Sequence, residues 1–382
     1  MAPLDGLRVI DLTRVVAGPF CTMLLGDMGA EVLKIEEPAH GDDSREWEPF
    51  VGGIGSFYLA LNRSKKSVAL DLKTPEGAAA LRRMIGTADV LIENFRPGSL
   101  ARLGFGYAEV AEINPRLIYT SITGYGQTGP HARLPGYDAV IQGEAGIMSM
   151  TGFADGEPTR VGVAITDYLA GLYAMQGILL ALHERHTSGR GQHVDIALFD
   201  AMLSVMRLPL SMLLATGEAP TRVGNDHLSI APYEPFRAKD GLIIVAVGNP
   251  RVWGRFCEAI DRPDLRDDPR FGSNTDRVAN RAALKREIEA AFEPFTVDEL
   301  TARFDPYDVP CGRVRNMREA IEHPQVVARN TVITQRHPQI GVVQTLGPVV
   351  KLSRTPADVR LPPPALGEHT SEILAALGRR TS

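Results

Sequence analysis

The chain has 382 residues, of which 44% are hydrophobic and 23% charged, and a formal net charge of -5. That length accommodates two domains, and 41 Lys and Arg against 46 Asp and Glu leave no basic excess for binding nucleic acid. Cys21, Cys257 and Cys311 are widely separated and form no C-x-x-C pair, so neither a disulfide framework nor a metal cluster is expected, and a cytoplasmic setting fits.

The first five residues run directly into a strand pattern and leave no room for a charged and apolar leader. Residues 7–12 alternate as a strand. Gly18-Pro19 then opens a helix through about Met28, with proline at its favoured first position and Gly29 as its stop. Residues 32–36 read as the next strand. The alternation continues with a strand at 67–72, a helix at 74–85, a strand at 89–94, a helix at 107–113 and a strand at 117–122. Strands alternating with helices imply an α/β domain whose parallel sheet is covered on both faces.

Asp167 is the only permanently charged residue between Arg160 and Glu184, in an otherwise apolar and small-residue run. One reading is capping, in which Thr166 or Asp167 accepts the first free N–H groups of the helix that follows. The other is chemistry: a carboxylate shedding water at a helix N-terminus is kept ionised by the helix dipole and acts as nucleophile or base. The helix itself keeps about 15 apolar or small residues before His183, below the length that spans a bilayer, so it reads as a core helix and no membrane partner is expected.

A polar turn at 187–191 leads to an extended segment at 192–198 and a helix to about Leu214. Residues 218–232 lack periodicity and read as a linker. A hairpin follows, with strands at 233–237 and 242–247, and its Asp240-Gly241 favours a type I′ turn. Helical patterns at 253–260, 277–292 and 297–304 complete a smaller α+β domain, residues 233–325. Extended segments at 331–335 and 341–351 and a last helix at 368–377 form a C-terminal part, 326–382, which returns to the large domain of residues 1–217.

Several site classes lack their motif. After Leu12 the chain reads Thr-Arg-Val-Val-Ala-Gly-Pro-Phe, without the glycine turn that would let Glu36 serve as a ribose-binding acid. His183 and His186 are three apart without a supporting carboxylate motif, so no metal is expected, and no G-x-S-x-G is present. Loops at strand ends are richer. They carry Lys73, then Asn94-Phe95-Arg96-Pro97-Gly98, then Gly124-Tyr-Gly-Gln-Thr-Gly-Pro130. Lys73, Arg96 and Arg102 suit a phosphorylated ligand reaching the sheet edge.

Over its whole length the chain resembles the class III CoA-transferase family. The resemblance is carried by Pro3-Leu-Asp-Gly-Leu-Arg-Val-Ile-Asp-Leu-Thr13, Ala17-Gly-Pro19, Leu25-Gly-Asp-Met-Gly-Ala-Glu-Val-Leu-Lys-Ile-Glu36 and Asn62-Arg-Ser-Lys-Lys-Ser67. Leu70-Asp-Leu-Lys73, Glu93-Asn-Phe-Arg-Pro-Gly98, Gly136-Tyr-Asp138, the Asp167 segment and Leu366-Gly-Glu-His-Thr370 extend it. The resemblance implies an interlocked homodimer, each chain having a Rossmann-like large domain and a small domain. It implies no tightly bound cofactor, with coenzyme A and a small carboxylic acid as substrates. The family's covalent aspartate falls on Asp167, and its CoA contacts fall on Val16, Ala17, Leu70, Lys73, Asn94, Phe95, Arg96, Arg102, Tyr137 and Asp138. Val16 stands where formyl-CoA transferase has glutamine, and Glu37 where it has a basic residue. Two alternatives are an α-methylacyl-CoA racemase, whose Gly-His-Asp motif is Gly136-Tyr137-Asp138 here, and a CoA-binding protein without chemistry. Residues 222–233 resemble a segment of the succinyl-CoA-dependent dicarboxylate branch. A dicarboxylate acceptor is therefore expected, with Arg222 or His227 either engaging its distal carboxylate or only ordering the linker.

Overall fold

The computed structural model describes residues 2–379. The chain forms two compact units, one taking Met1–Ile147, Arg160–Ala219 and Gln325–Ser382, the other Met148–Thr159 and Pro220–Pro324.

The first unit is built on six strands: β1 (Arg8–Asp11), β2 (Glu31–Glu36), β5 (Lys65–Ala69), β6 (Val90–Glu93), β7 (Ile118–Thr123) and β8 (His193–Ala197). Phe50–Val51 and Ile54–Gly55, β3 and β4, form a minimal hairpin apart from this sheet. The six run parallel in the order β5-β2-β1-β6-β7-β8, so the chain adds strands outward to one side of β1 and then crosses to the other. Strands such as β6 and β7 are buried along their whole length, because helices cover both faces and allow no polar alternation. On one face Leu81, Met84 and Ile85 of α3 (Pro75–Ile85) and Phe105, before α4 (Tyr107–Ile113), pack on Ile10, Leu33, Val68 and Leu91. The final helix, Thr370–Arg379, joins this core through Ile373 and Leu377.

The other face carries α1 (Ala17–Asp27) and α7 (Ile165–Ser188), which pack on each other, α7 also lying on β7 and β8. A Cβ on Gly171 would lie 2.7 Å from the Ala17 carbonyl, so the glycine is what lets the two helices approach. Phe20 and Tyr168 meet edge-on at 5.0 Å beside that contact. At 24 residues α7 is longer than its sequence suggested, and its length and composition would allow it to cross a membrane. Packing explains part of its apolarity, since Ala170, Ala174, Ile178 and Ala181 are buried against α1 and the sheet, while Leu172 and Leu180 are exposed.

Other boundaries also move. Helix α1 starts at Ala17, which puts Pro19 third rather than first, still where a missing N–H costs no helical bond. Strand β5 starts at Lys65, two residues early, because a buried ion pair absorbs that lysine and removes the polar break expected there. The helix expected to reach Leu214 breaks into α8 (Leu198–Ser204) and α9 (Arg207–Thr216). Between α4 and α7 lie two short helices that the periodicity did not reveal, α5 (Asp138–Glu144) and α6 (Ile147–Met150).

The second unit has an antiparallel sheet of β9 (Tyr233–Ala238), β10 (Gly241–Ala246) and β11 (Cys311–Arg313), ordered β11-β10-β9. Phe236, Ile243, Trp253, Phe256, Phe292 and Phe304 form its core. The hairpin connection is Lys239-Asp240, and neither residue has the positive φ of a type I′ turn. Instead Asp240 accepts the Val297 N–H and pairs with Arg313, which holds the connection in place.

Candidate active site

In an open parallel sheet the crevice opens beyond the carboxyl ends of the strands where the strand order reverses, here between β1 and β6. A cavity of about 170 Å³ occupies that point. Residues 14–17 after β1, 94–97 after β6, Thr123 at the end of β7 and Gly124 after it, residues 134–137, Asp43, Leu198 and Asp167 line it. Gly124 and Gly136 approach so closely that a Cβ on Gly124 would lie 2.6 Å from the Gly136 Cα, so the cavity wall there is bare backbone. Gly124, Gly126 and Gly129 have the G-x-G-x-x-G spacing, but the next helix starts only at Asp138, and the strand-turn-helix of a dinucleotide site is absent.

Asp167 stands in the first turn of α7, partly buried. Neither it nor Thr166 caps the helix. Asp138, at the start of α5, supplies the cap: its Oδ1 accepts the Thr166 N–H at 2.9 Å and the Thr166 hydroxyl at 2.7 Å. Asp138 Oδ2 accepts from Gln142 Nε2 at 2.7 Å, and Gln142 Oε1 accepts the Val161 N–H at 2.8 Å. The approach to α7 is thus tied to α5, while the Asp167 carboxylate has no hydrogen bond or ion pair among the described residues. Burial pushes its carboxyl up to about 7, with the Asp138 charge adding to the shift. The helix dipole therefore does not hold it in the ordinary carboxylate range, as the sequence suggested. An unpaired, half-desolvated carboxylate facing a cavity is costly to keep and chemically reactive.

The floor after β1 is held from beneath. Asp11 Oδ1 accepts the Thr13 N–H and hydroxyl, and its Oδ2 accepts from Thr22 and pairs with Lys65 at 3.2 Å. Lys34 Nζ donates to the Thr13 carbonyl and to Asp42, both at 2.8 Å, with neither Lys34 nor Asp42 exposed. Burial alone would raise the Asp42 carboxyl, but Lys34 and Ser44 outweigh it and hold it down to about 2. The other Asp42 oxygen accepts the N–H of Val15, a β-branched residue forced to φ +73°. The Asn94 side chain clasps Arg14 on both sides, its oxygen accepting the Arg14 N–H at 3.1 Å and its nitrogen donating to the Arg14 carbonyl at 2.8 Å. Glu93, buried beneath, accepts the Phe95 N–H at 2.8 Å, and burial pushes its carboxyl up to about 7.

Of the residues singled out from the sequence, Val16, Ala17, Asn94, Phe95, Arg96, Tyr137 and Asp167 come together around this cavity. Asp138 lies behind it with both oxygens engaged. Leu70 is in the core, and Lys73 and Arg102 are exposed outside the cavity lining. Glu37 is held in its own turn by the Ala39 and His40 N–H groups. Arg222 and His227 belong to the second unit, where Arg222 donates to the Phe153 and Gly156 carbonyls and His227 Nδ1 accepts the Ser229 N–H. Sequence reasoning missed Arg14 and Val15, and no pattern marks a β-branched residue at positive φ. A larger cavity of about 420 Å³, lined by residues 330, 333–335, 348, 350–352, 356, 357 and 359, has Lys351 as its one charged side chain and no carboxylate.

Fold and cavity define an α/β protein whose site surrounds one unpaired carboxylate. Residues 4–370 match CoA-transferase family III, and the chain belongs to that family and is a CoA-transferase. It is 41% identical to the human succinyl-CoA:glutarate CoA-transferase over 97% of this chain and 85% of that protein. It is 44% identical to the acetyl-CoA:oxalate CoA-transferase of Acetobacter aceti, over 92% of this chain and 89% of that one. A CAIB/BAIF family protein from Brucella suis superposes with a TM-score of 0.88 at 40% identity, covering 98% of this chain and 99% of that structure.

Proposed function

We propose that the protein transfers coenzyme A from an acyl-CoA to a free dicarboxylic acid through a covalent intermediate on Asp167. The unpaired carboxylate in the switch-point cavity carries this reading. Its high pKa makes it a stronger nucleophile than a solvated carboxylate, and partial exclusion of water protects an anhydride from hydrolysis. An Asp167 oxygen attacks the donor thioester carbonyl, giving a mixed anhydride and CoA thiolate. The thiolate attacks the aspartyl carbonyl, forming an aspartyl thioester and releasing the donor acid. The acceptor carboxylate attacks that thioester and expels the thiolate, which then takes the new acyl group and frees Asp167. The cavity of about 170 Å³ suits a short acyl chain, with CoA itself lying along the loops that carry Val16, Ala17, Phe95, Arg96 and Tyr137. Succinyl, glutarate and oxalate in the relatives' names support short diacids as the acyl partners.

Asp167→Asn should abolish CoA exchange while circular dichroism shows a folded protein. Hydroxylamine added with acyl-CoA should trap a modified Asp167 peptide by mass spectrometry, and normal turnover in the variant would sink the assignment. A racemase would instead exchange the α-proton of a branched acyl-CoA for deuterium without transferring CoA. Homodimerisation belongs to the same proposal. Helix α9 carries Leu208, Leu210, Leu213 and Leu214, yet none of its residues is buried. A reducing, cytoplasmic setting is supported by three free thiols.

A further inference from the structure

The loop after β1 is constrained far beyond what a connection needs. Thr13 is held by Asp11 and Lys34, the Arg14 backbone is clasped on both sides by Asn94, and the Val15 N–H is drawn onto Asp42 at φ +73°. Backbone strain in a β-branched residue persists only where the surroundings over-determine it, and it clusters at ligand sites. The effect here is to present the Arg14 side chain to the cavity that Asp167 shares. Its guanidinium stands 5.6 Å from the Phe95 ring centroid and only 3.4 Å from Asp43, with about half of each charged side chain exposed. A pair so loose and solvated is easily exchanged for a better carboxylate. A guanidinium also matches a carboxylate with two parallel hydrogen bonds, which Asp43 at that distance does not provide.

We infer that Arg14 is a specificity-determining residue that binds the distal carboxylate of the diacid while its other end reacts at Asp167. This rests on the transferase reading above and assigns its substrate recognition to a residue of the first unit. The buried Lys34–Asp42 pair and Asn94 are positioning residues for it.

The test compares wild type with Arg14→Gln and Arg14→Lys, using glutarate and the monoacid valerate as acceptors and free CoA as a binding probe. Arg14→Gln should raise the KM for glutarate by about 10- to 100-fold, the span expected for one charge-assisted hydrogen bond. The valerate KM and the Kd for CoA should stay within about twofold, and Arg14→Lys should recover part of the loss because it keeps the charge without the fork. An unchanged glutarate-to-valerate preference in a folded Arg14→Gln variant overturns the inference. So does a parallel loss of CoA affinity, which would make Arg14 a nucleotide contact. A wild-type protein that transfers CoA to no carboxylate removes the transferase reading, and this inference with it. Transfer with no Arg14 discrimination removes this inference alone.

Discussion

Asp167 is set by two opposing demands. In the proposed reaction, attack on a thioester needs the ionised carboxylate, whereas burial and the neighbouring Asp138 favour the protonated form up to about pH 7. Acyl-CoA consumption in a single turnover should therefore rise with pH through about 7. Asp138→Asn keeps an oxygen for the Thr166 N–H but removes the charge, so the inflection should move toward the ordinary carboxylate range. An unmoved inflection would assign it to Glu93, whose carboxyl also lies near 7 but whose shift owes nothing to Asp138. Linkage gives a second measurement. Because the folded pKa lies above the unfolded one, the native state holds the extra proton and is favoured at low pH. That advantage is lost as pH rises through about 7. Asp167→Asn should consequently raise the unfolding free energy at pH 8 by roughly 1–2 kcal/mol, after discounting for partial exposure, and leave it unchanged at pH 4.

Elements transmit these constraints. Helix α7 carries Asp167 and α1 begins at Ala17, and Gly171 sets their separation. Gly171→Ala should improve helix propensity yet drive a methyl into the Ala17 carbonyl. The expected result is a lower unfolding midpoint, with kcat changing more than the KM for acyl-CoA because Asp167, the proposed nucleophile, moves relative to the thioester. The loop after β1 makes the complementary case. Asp42→Asn leaves Lys34 buried without its counter-ion and should cost about 3–5 kcal/mol at pH 7 in denaturant unfolding. The Asp42 carboxyl is held below its unfolded value, so its stabilisation is present above about pH 4 and is lost as pH falls through about 2. The variant should have a flatter acid limb over that window. In the sequence Lys34 is a charge within a strand pattern and Lys65 a charge just before one. Only their burial identifies them as pillars beneath the site.

At the scale of the whole molecule, the proposed homodimer would cover the exposed leucines of α9. Sedimentation should give twice the 41.5 kDa chain mass, and Leu208→Glu with Leu214→Glu should reduce it to one chain. Much of this architecture was legible without coordinates. Two-residue and 3.6-residue periodicities gave the alternating strands and helices within a few residues, since burial on both sheet faces writes a continuous apolar signal. Helices α5 and α6 stayed hidden because seven and four residues are too short to establish a period. The type I′ turn was misread because side-chain contacts of Asp240, rather than local preference, shape that connection.

By itself the sequence determined the α/β alternation, the solitary carboxylate at residue 167 and the motifs of the family, all carried by local spacing or by residue identity. Tertiary structure alone decided that Asp138 caps the helix that carries Asp167, that Asn94 and Asp42 grip the loop after β1, and that Arg14 shares the cavity with Asp167. Those contacts join residues 28, 80 and 27 positions apart, and separations of that kind have no period to read. They exist because a sheet that reverses its strand order at β1 brings the ends of β1 and β6 to one crevice, where the Asp167 carboxylate is left unpaired and partly desolvated.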